Sequence, residues 1–202
     1  MVARCKPDAI GLVFYPRSSR FVDVDRARVI ADALPAEIRK VGVFVNPDWD
    51  GIRSLARTVP LDLIQWHGGD LSPEGLERLD AMGVPWIDVR KIRPGEPLPK
   101  DISPRGGASY LLVEGASDRS PGGNRVQWDR SVMRGVRCPS PLILSGGLDP
   151  ENVLDALRAA CPFGVDVSSG VESRPGKKDP GLLEAFFSEV RRYGATFQDA
   201  VL

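Results

Sequence analysis

The chain is poor in the residues that build metal sites and disulfide frameworks. Its 202 residues include three cysteines and one histidine. Cys5, Cys138 and Cys161 are far apart, odd in number and form no Cys-x-x-Cys pattern, which favours reduced thiols in a cytoplasmic protein. A single histidine, with no His-x-x-x-His pattern, argues against a zinc site. We therefore expect no bound metal and a cytoplasmic location.

The sequence also lacks an excess of charge and any long apolar run. The 27 lysines and arginines balance 27 aspartates and glutamates, so no general attraction to nucleic acid or to a membrane surface is expected. The longest apolar runs, such as Ala9–Phe14, are far too short to cross a bilayer, and the N-terminus has no apolar signal stretch. The length suits one sizeable domain covering residues 1–202.

What the sequence does contain is an alternation of strand-like and helix-like segments. Seven short apolar runs predict buried strands: Ala9–Phe14, Val41–Val45, Leu61–Trp66, Trp86–Ile92, Ser109–Glu114, Leu142–Leu144 and Val165–Ser168. Helices are predicted between them: Asp25–Leu34, Asp48 or Asp50 to Arg57, Ser72 to near Gly83, Trp128–Gly135, Asp149–Cys161 and Pro180–Tyr193. No antiparallel hairpin signal interrupts this order, so a parallel α/β sheet is expected. The tail Gly194–Leu202 is expected to be loosely ordered.

Two glycine turns near the C-terminal end suggest the ligand. Leu144–Leu148 and Asp166–Val171 each follow an apolar run and lead towards a helix-like segment. Such turns leave backbone N–H groups free to approach an anion, and a helix dipole adds to the attraction. Two of them on consecutive strands form the phosphate clamp usual in (β/α)₈ barrels. We therefore expect a phosphorylated small-molecule ligand between Gly147 and Gly170, and this depends on the two glycines lying side by side.

Ordered motifs over nearly the whole chain resemble the phosphoribosylanthranilate isomerase family. They are Asp8-Ala-Ile-Gly-Leu-Val-Phe-Tyr-Pro16 with Ser18 and Arg20, Val41–Asn46, Gln65-Trp-His-Gly68, Leu144–Val153, Val165–Glu172 and Pro175–Asp179. The resemblance implies a (β/α)₈ TIM barrel. It also implies an enzyme of tryptophan biosynthesis that rearranges an aldose to a ketose and needs no cofactor. A monomer or a homodimer is expected.

The resemblance also assigns roles to residues. Arg20 would bind the anthranilate carboxylate, since a guanidinium fork fits a carboxylate by two parallel hydrogen bonds. His67 and Asp166 would line the substrate site, although a structural role is equally open for each, and Gln65 is expected to be structural. The phosphate would be held by Gly122, Gly123, Gly146, Gly147, Ser169 and Gly170.

Two features depart from the family pattern. The family begins with a Lys-x-Cys-Gly strand whose cysteine is the general base, whereas the match here begins at the end of the first helix. We therefore expect the first strand and most of the first helix to be absent, and all three cysteines to be buried and inert. The general acid of the family is an aspartate, and Glu114 occupies that position. Alternatives left open are a start assigned too far downstream, a shortened barrel, and an inactive phosphate-binding paralogue or partner subunit.

Overall fold

The computed structural model of the chain describes residues 1–68, 71–93, 95, 98–116 and 128–198. Seven strands form one sheet in chain order: β1 (Ala9–Val13), β2 (Arg39–Val45), β3 (Leu63–His67), β4 (Trp86–Ile92), β5 (Tyr110–Gly115), β6 (Leu142–Leu144) and β7 (Gly164–Val165). The pairs β1–β2, β2–β3, β3–β4 and β6–β7 are parallel. The seven strands and the parallel α/β architecture predicted from the sequence are confirmed.

Helices alternate with these strands, and local sequence sets most of their starts. The α-helices are α1 (Val24–Ala33), α2 (Trp49–Thr58), α3 (Pro73–Asp80), α4 (Val153–Ala160) and α5 (Pro180–Gln198). Asp23, Asp48 and Ser72 cap the first three, each accepting a backbone N–H in the first turn. Such side chains satisfy donors that have no partner inside the helix. Single 3₁₀ turns occupy Val2–Cys5, Arg130–Met133 and Ser169–Val171.

The backbone divides into two compact units. The N-terminal unit is Lys6–Val89 with Pro104–Leu111, and the C-terminal unit is Met1–Cys5, Arg90–Ser103 and Leu112–Leu202. The N-terminal unit has a core of large side chains from β2, β3, β4 and the helices after β2 and β3: Phe44, Ile52, Ile64, Trp66, Leu79 and Trp86. Inside it Phe14 stacks on Phe44 with ring centroids 5.3 Å apart. This core fixes the carboxyl ends of β1 to β3.

The C-terminal unit is built around β5 and β6. Leu112, Val113 and Leu144 are fully buried, as expected for strands covered on both faces. Helix α4 packs against α5, and α5 contributes the buried Phe186. The turns that follow β6 and β7 belong to this unit, and they hold most of the predicted site residues.

Several segments differ from the sequence expectation; among them, the helix expected at Trp128–Gly135 is a 3₁₀ turn over Arg130–Met133. Helix α4 begins at Val153 rather than Asp149, because the Asp149 carboxylate accepts the Glu151 and Asn152 N–H groups and forms a turn first. An antiparallel hairpin, β8 (Glu172–Arg174) with β9 (Lys177–Lys178), follows β7 where no hairpin was expected. Helix α5 continues to Gln198, so the expectation of a loose tail from Gly194 was wrong through that residue; residues 199–202 lie outside the described part.

Candidate active site

The turn after β6 has a backbone that glycine suits and carbonyls that side chains hold. Gly146 and Gly147 have φ of +86° and +63°, in the left-handed region that glycine adopts without strain. Three consecutive carbonyl oxygens each accept a side-chain N–H: Ser145 from Trp128 Nε1 (3.1 Å), Gly146 from Arg130 Nη2 (2.6 Å) and Gly147 from Asn152 Nδ2 (2.8 Å). We call Ser145–Gly147 the first glycine turn. Its peptide planes are therefore fixed.

The second glycine turn, Ser168–Gly170, lies directly against the first. A Cβ placed on Gly170 would be 1.8 Å from the Leu148 carbonyl oxygen and 3.0 Å from the Asp149 Cα. Leu148 follows Gly147 in the chain, so the two turns adjoin. The two glycine segments are therefore adjacent, and an anion held between Gly147 and Gly170 stays a prediction. The second turn leads through a 3₁₀ turn into the β8–β9 hairpin, and not directly into an α-helix as expected.

The hairpin contacts the second glycine turn through Lys178. Lys178 Nζ donates to the Ser168 carbonyl oxygen over 2.7 Å and lies 3.1 Å from Glu172 Oε1. The Glu172 side chain is 3% exposed, and the ammonium compensates its charge. The hydrogen bond to Ser168 thus joins the hairpin to the turn that the sequence predicts to bind phosphate, and the ion pair links the two strands of the hairpin.

Two carboxylates predicted for the site lie beside the first glycine turn. Glu114, at the end of β5, is buried, and its Cβ is 3.5 Å from the position that a Cβ on Gly146 would take. Lys91 Nζ is 4.0 Å from Glu114 Oε1. Asp166 follows β7, and its Oδ2 accepts a hydrogen bond from Ser145 Oγ over 3.2 Å. Glu114, the first glycine turn and Asp166 therefore belong to the same unit.

Arg130 brings a positive charge close to the first glycine turn. Its guanidinium lies over the Trp128 ring, 5.9 Å from the ring centroid. Burial lowers the pKa of Arg130, and the carboxylate of Asp149 acts in the opposite direction. Because an arginine side chain starts from a pKa above 12, it remains protonated near neutral pH.

The other predicted binding residues lie in the N-terminal unit, after the carboxyl ends of parallel strands. Arg20 is in the turn that follows β1, and its backbone N–H donates to Ser18 Oγ over 3.1 Å. His67 ends β3, and its Nε2 is 2.7 Å from Gln65 Nε2. The buried Gln65 thus orients the His67 ring, in agreement with the structural role expected for it.

Some sequence predictions fall elsewhere or need correction. Gly122 and Gly123 lie outside the described residues. The expectation of three buried cysteines was wrong: Cys161 is exposed, and Cys5 and Cys138 are partly exposed. Cys161 is the C-cap of α4, with φ of +44°. The three cysteines therefore lie before β1, before β6 and after α4, none of them directly after a strand of the sheet.

Sequence reasoning missed Trp128, Arg130, Asn152 and Lys178, the side chains that hold the glycine-turn carbonyls. Lys178 had a usable signal, because Pro175-Gly176 between two short polar runs is a turn signature, and Gly176 has φ of +79°. Arg130 had none, since an arginine in a short polar segment is ordinarily solvated. Among the described residues no helix is long and apolar enough to cross a membrane, and no cluster of three or more metal-ligating side chains is found there.

Comparisons with known proteins place the chain in a family. The family model described as N-(5'phosphoribosyl)anthranilate (PRA) isomerase matches residues 1–189. An N-(5'-phosphoribosyl)anthranilate isomerase of Pseudomonas putida is 39% identical over 190 residues, covering 94% of this chain and 90% of that protein.

Solved structures give the same result. Phosphoribosyl anthranilate isomerase from Thermus thermophilus superposes with a TM-score of 0.81 at 28% identity, covering 95% of this chain and 91% of that one. A structure of phosphoribosyl anthranilate isomerase in complex with reduced 1-(o-carboxyphenylamino)-1-deoxyribulose 5-phosphate gives 0.74 at 31% identity, with the same coverages. The chain, with its parallel strands and paired glycine turns, belongs to the phosphoribosylanthranilate isomerase family, and its fold is of the (β/α)₈ barrel class that the sequence predicted.

Proposed function

We propose that this chain catalyses the Amadori rearrangement of N-(5-phosphoribosyl)anthranilate to 1-(2-carboxyphenylamino)-1-deoxyribulose 5-phosphate in tryptophan biosynthesis. Membership of the family supports this reaction. One observation on the residues of this chain supports it further. The buried carboxyl of Glu114 is adjacent to Gly146, in the turn that the sequence predicts to bind phosphate. This arrangement would place a proton donor next to the sugar ring while the glycine turn binds the phosphate of the same substrate.

The adjoining glycine turns are proposed to bind the phosphate. Gly146, Gly147, Ser169 and Gly170 would offer backbone N–H groups to its oxygens, an arrangement that favours anions because each N–H is a fixed partial positive charge. Gly122 and Gly123 are proposed as further phosphate contacts from the resemblance alone. The Arg130 guanidinium contacts the Gly146 carbonyl oxygen and so adds a positive charge near the first glycine turn.

Glu114 is proposed as the general acid. It would protonate the furanose ring oxygen as the ring opens to a Schiff base, after which removal of the C2′ proton gives an enolamine that tautomerises to the ketose. Proton transfer by a positioned side chain contributes roughly 10²–10⁴-fold to a rate. Arg20 is proposed to bind the anthranilate carboxylate, and His67 and Asp166 to contact the substrate.

A second candidate function is phosphate binding without turnover. Two observations favour it: none of the three cysteines lies directly after a strand of the sheet, where the family's base is implied to lie, and Glu114 is one methylene longer than the family's aspartate. A displacement of roughly an ångström at a reacting group can cost on the order of 10²-fold in rate. The two candidates share the phosphate turns and differ in kcat.

The experiment follows the fluorescence of the anthranilate substrate for the unchanged chain, Glu114→Gln and the exposed Glu184→Gln on α5. The isomerase proposal expects turnover by the unchanged chain, a loss of at least about 100-fold in Glu114→Gln, and no change in Glu184→Gln. Glu114→Asp, which keeps a carboxyl, should retain more activity than Glu114→Gln. Calorimetric binding of the reduced product analogue with no turnover by the unchanged chain would instead establish the second candidate.

The proposed partner is a phosphorylated small molecule, and the chain is expected to act as a monomer or a homodimer without nucleic acid. Sedimentation equilibrium of the purified protein measures the oligomeric state directly. Absence of any retention of duplex or single-stranded nucleic acid at physiological salt is the result expected from its balanced charge.

A further inference from the structure

The first glycine turn is held from outside by side chains, and this has a consequence for its N–H groups. In a planar trans peptide the C=O of one residue and the N–H of the next point in opposite directions. A side chain that holds the Gly146 carbonyl therefore also sets the direction of the Gly147 N–H. By the same geometry, Trp128 at the Ser145 carbonyl sets the Gly146 N–H.

These contacts matter because glycine peptides have few preferences of their own. Gly146 and Gly147 have no side chains to limit φ and ψ, so their peptide planes can rotate when nothing fixes them. A turn whose N–H groups point in many directions loses entropy when an anion orders them, and preorganisation removes that cost. Held carbonyls supply such preorganisation before the ligand arrives.

We infer that Arg130 is a positioning residue for phosphate: through the Gly146 carbonyl it directs the Gly147 N–H towards the bound anion. This rests on the proposed function. The contact is short, 2.6 Å from Nη2 to the carbonyl oxygen, and it is charge-assisted, which makes it among the stronger hydrogen bonds in proteins. Arg130 belongs to the 3₁₀ turn Arg130–Met133, and Trp128 anchors the neighbouring carbonyl from the segment just before it.

The surroundings show that the guanidinium is held in place. It lies over the Trp128 ring, the negative charge of Asp149 attracts it, and its Nε is buried with no hydrogen-bond partner among the described residues. A buried N–H without a hydrogen-bond partner is costly. The contacts with Trp128, Asp149 and the Gly146 carbonyl hold the guanidinium in place despite this cost.

Arg134 offers a matched control. It belongs to the same segment, carries the same charge and is exposed, and its backbone N–H, not its guanidinium, caps the 3₁₀ turn. If positive charge alone favoured phosphate binding, Arg134→Met and Arg130→Met would weaken the phosphate affinity to similar extents. A positioning role through Gly146 belongs to Arg130 alone.

The test titrates the full chain and its variants with inorganic phosphate by calorimetry and measures kcat and KM with the phosphoribosyl substrate. We expect Arg130→Met to weaken phosphate binding and raise KM about 10-fold or more, with kcat within about 3-fold of the unchanged chain. Arg134→Met should change the phosphate affinity, kcat and KM by less than about 2-fold each, because an exposed charge contributes little. Added methylguanidinium should restore part of the phosphate affinity of Arg130→Ala.

Two further variants keep the inference testable if Arg130→Met fails to fold. Arg130→Lys retains the charge but not the planar fork, and Trp128→Phe retains the ring but not the N–H that holds the Ser145 carbonyl. Each should weaken phosphate binding about 3-fold or more, and unchanged affinity in both overturns the inference. Equal losses in Arg130→Met and Arg134→Met overturn it as well. If the unchanged chain binds no phosphate, the proposed phosphate site fails and the inference fails with it; binding by the unchanged chain with unaltered Arg130 variants overturns the inference alone.

Discussion

The Lys178 ammonium holds the Ser168 carbonyl oxygen over 2.7 Å and so joins the β8–β9 hairpin to the second glycine turn. The same ammonium compensates the buried charge of Glu172, 3.1 Å away. A short hairpin of two strands is weak by itself in water. The hydrogen bond from Lys178 to Ser168 attaches it to the turn, and the ion pair with Glu172 joins its two strands.

Replacing Lys178 with methionine should destabilise the fold by about 3 kcal/mol or more, because the buried Glu172 carboxylate loses its cation. The matched control is Lys177→Met in the same strand, since the Lys177 side chain is exposed, and this change should cost less than about 0.5 kcal/mol. Urea denaturation measures both. The double variant Glu172→Gln with Lys178→Met should recover part of the loss, and a Lys178→Met protein as stable as Lys177→Met would refute the role of the pair.

Gly170→Ala should disrupt the contact between the two glycine turns. The added Cβ would lie 1.8 Å from the Leu148 carbonyl oxygen, so backbone atoms would have to move to relieve the clash. Gly164→Ala in β7 is the control, because a Cβ there meets nothing within 4 Å. We expect Gly170→Ala to lower the thermal midpoint by several degrees and to weaken inorganic phosphate binding about 10-fold or more. Equal behaviour of the two variants in calorimetric titration and melting would contradict the adjoining-turn geometry.

The buried pair of Asp88 and Arg105 should stabilise the N-terminal unit far more than an exposed pair of similar geometry. Asp88 is fully buried, and it accepts from the Arg105 backbone N–H (2.9 Å), Nε (3.0 Å) and Nη2 (2.6 Å). Arg105→Met leaves that carboxylate without its cation and should cost about 3–5 kcal/mol.

The matched control for this pair is Arg137→Met, which removes the exposed two-donor contact with Asp101. Exposed pairs contribute roughly 0–1 kcal/mol because water and salt screen them. Unfolding free energies of the two variants in urea give the comparison. A loss below about 1 kcal/mol in Arg105→Met would show that Asp88 does not depend on this partner.

The Tyr193 hydroxyl should lose its proton at a higher pH than an exposed tyrosine does. Desolvation, with a hydrogen bond and charge interaction from Cys161, raises the pKa of Tyr193 from 10.0 to about 12. The folded state therefore holds this proton more tightly than the unfolded state, and the contribution to stability is present below pH 10 and is lost as the pH rises from 10 towards 12.

Absorbance titration near 295 nm, with Tyr193→Phe subtracted to remove the other two tyrosines, follows the hydroxyl directly. Cys161→Ala removes the second and third causes of the shift and leaves desolvation. Its Tyr193 pKa should fall part of the way back towards 10. A midpoint near 10 in the unchanged chain, or no change in Cys161→Ala, would contradict the arrangement.

Much of the architecture could be predicted because it depends on local signals. Trp86–Ile92 and Leu142–Leu144 have the bounds that their apolar runs indicate, and Asp48 and Ser72 cap helices as their positions predict. Burial of continuous apolar runs on both faces and N-terminal capping each involve residues within a few positions of one another. Strand edges were less predictable: β7 covers Gly164–Val165, whereas its apolar run predicted Val165–Ser168.

The sequence by itself determined the parallel α/β order, the two glycine turns and, through its motifs, the family. Only the tertiary structure decided that Trp128, Arg130 and Asn152 hold three successive carbonyls of the first glycine turn. It also decided that Lys178 holds the Ser168 carbonyl of the second glycine turn. Trp128 and Arg130 lie 17 and 16 residues before the carbonyls that they hold, and the sequence around them does not indicate those partners. Side-chain hydrogen bonds between such separated residues depend on how the chain packs, and no pattern of neighbouring residues encodes them.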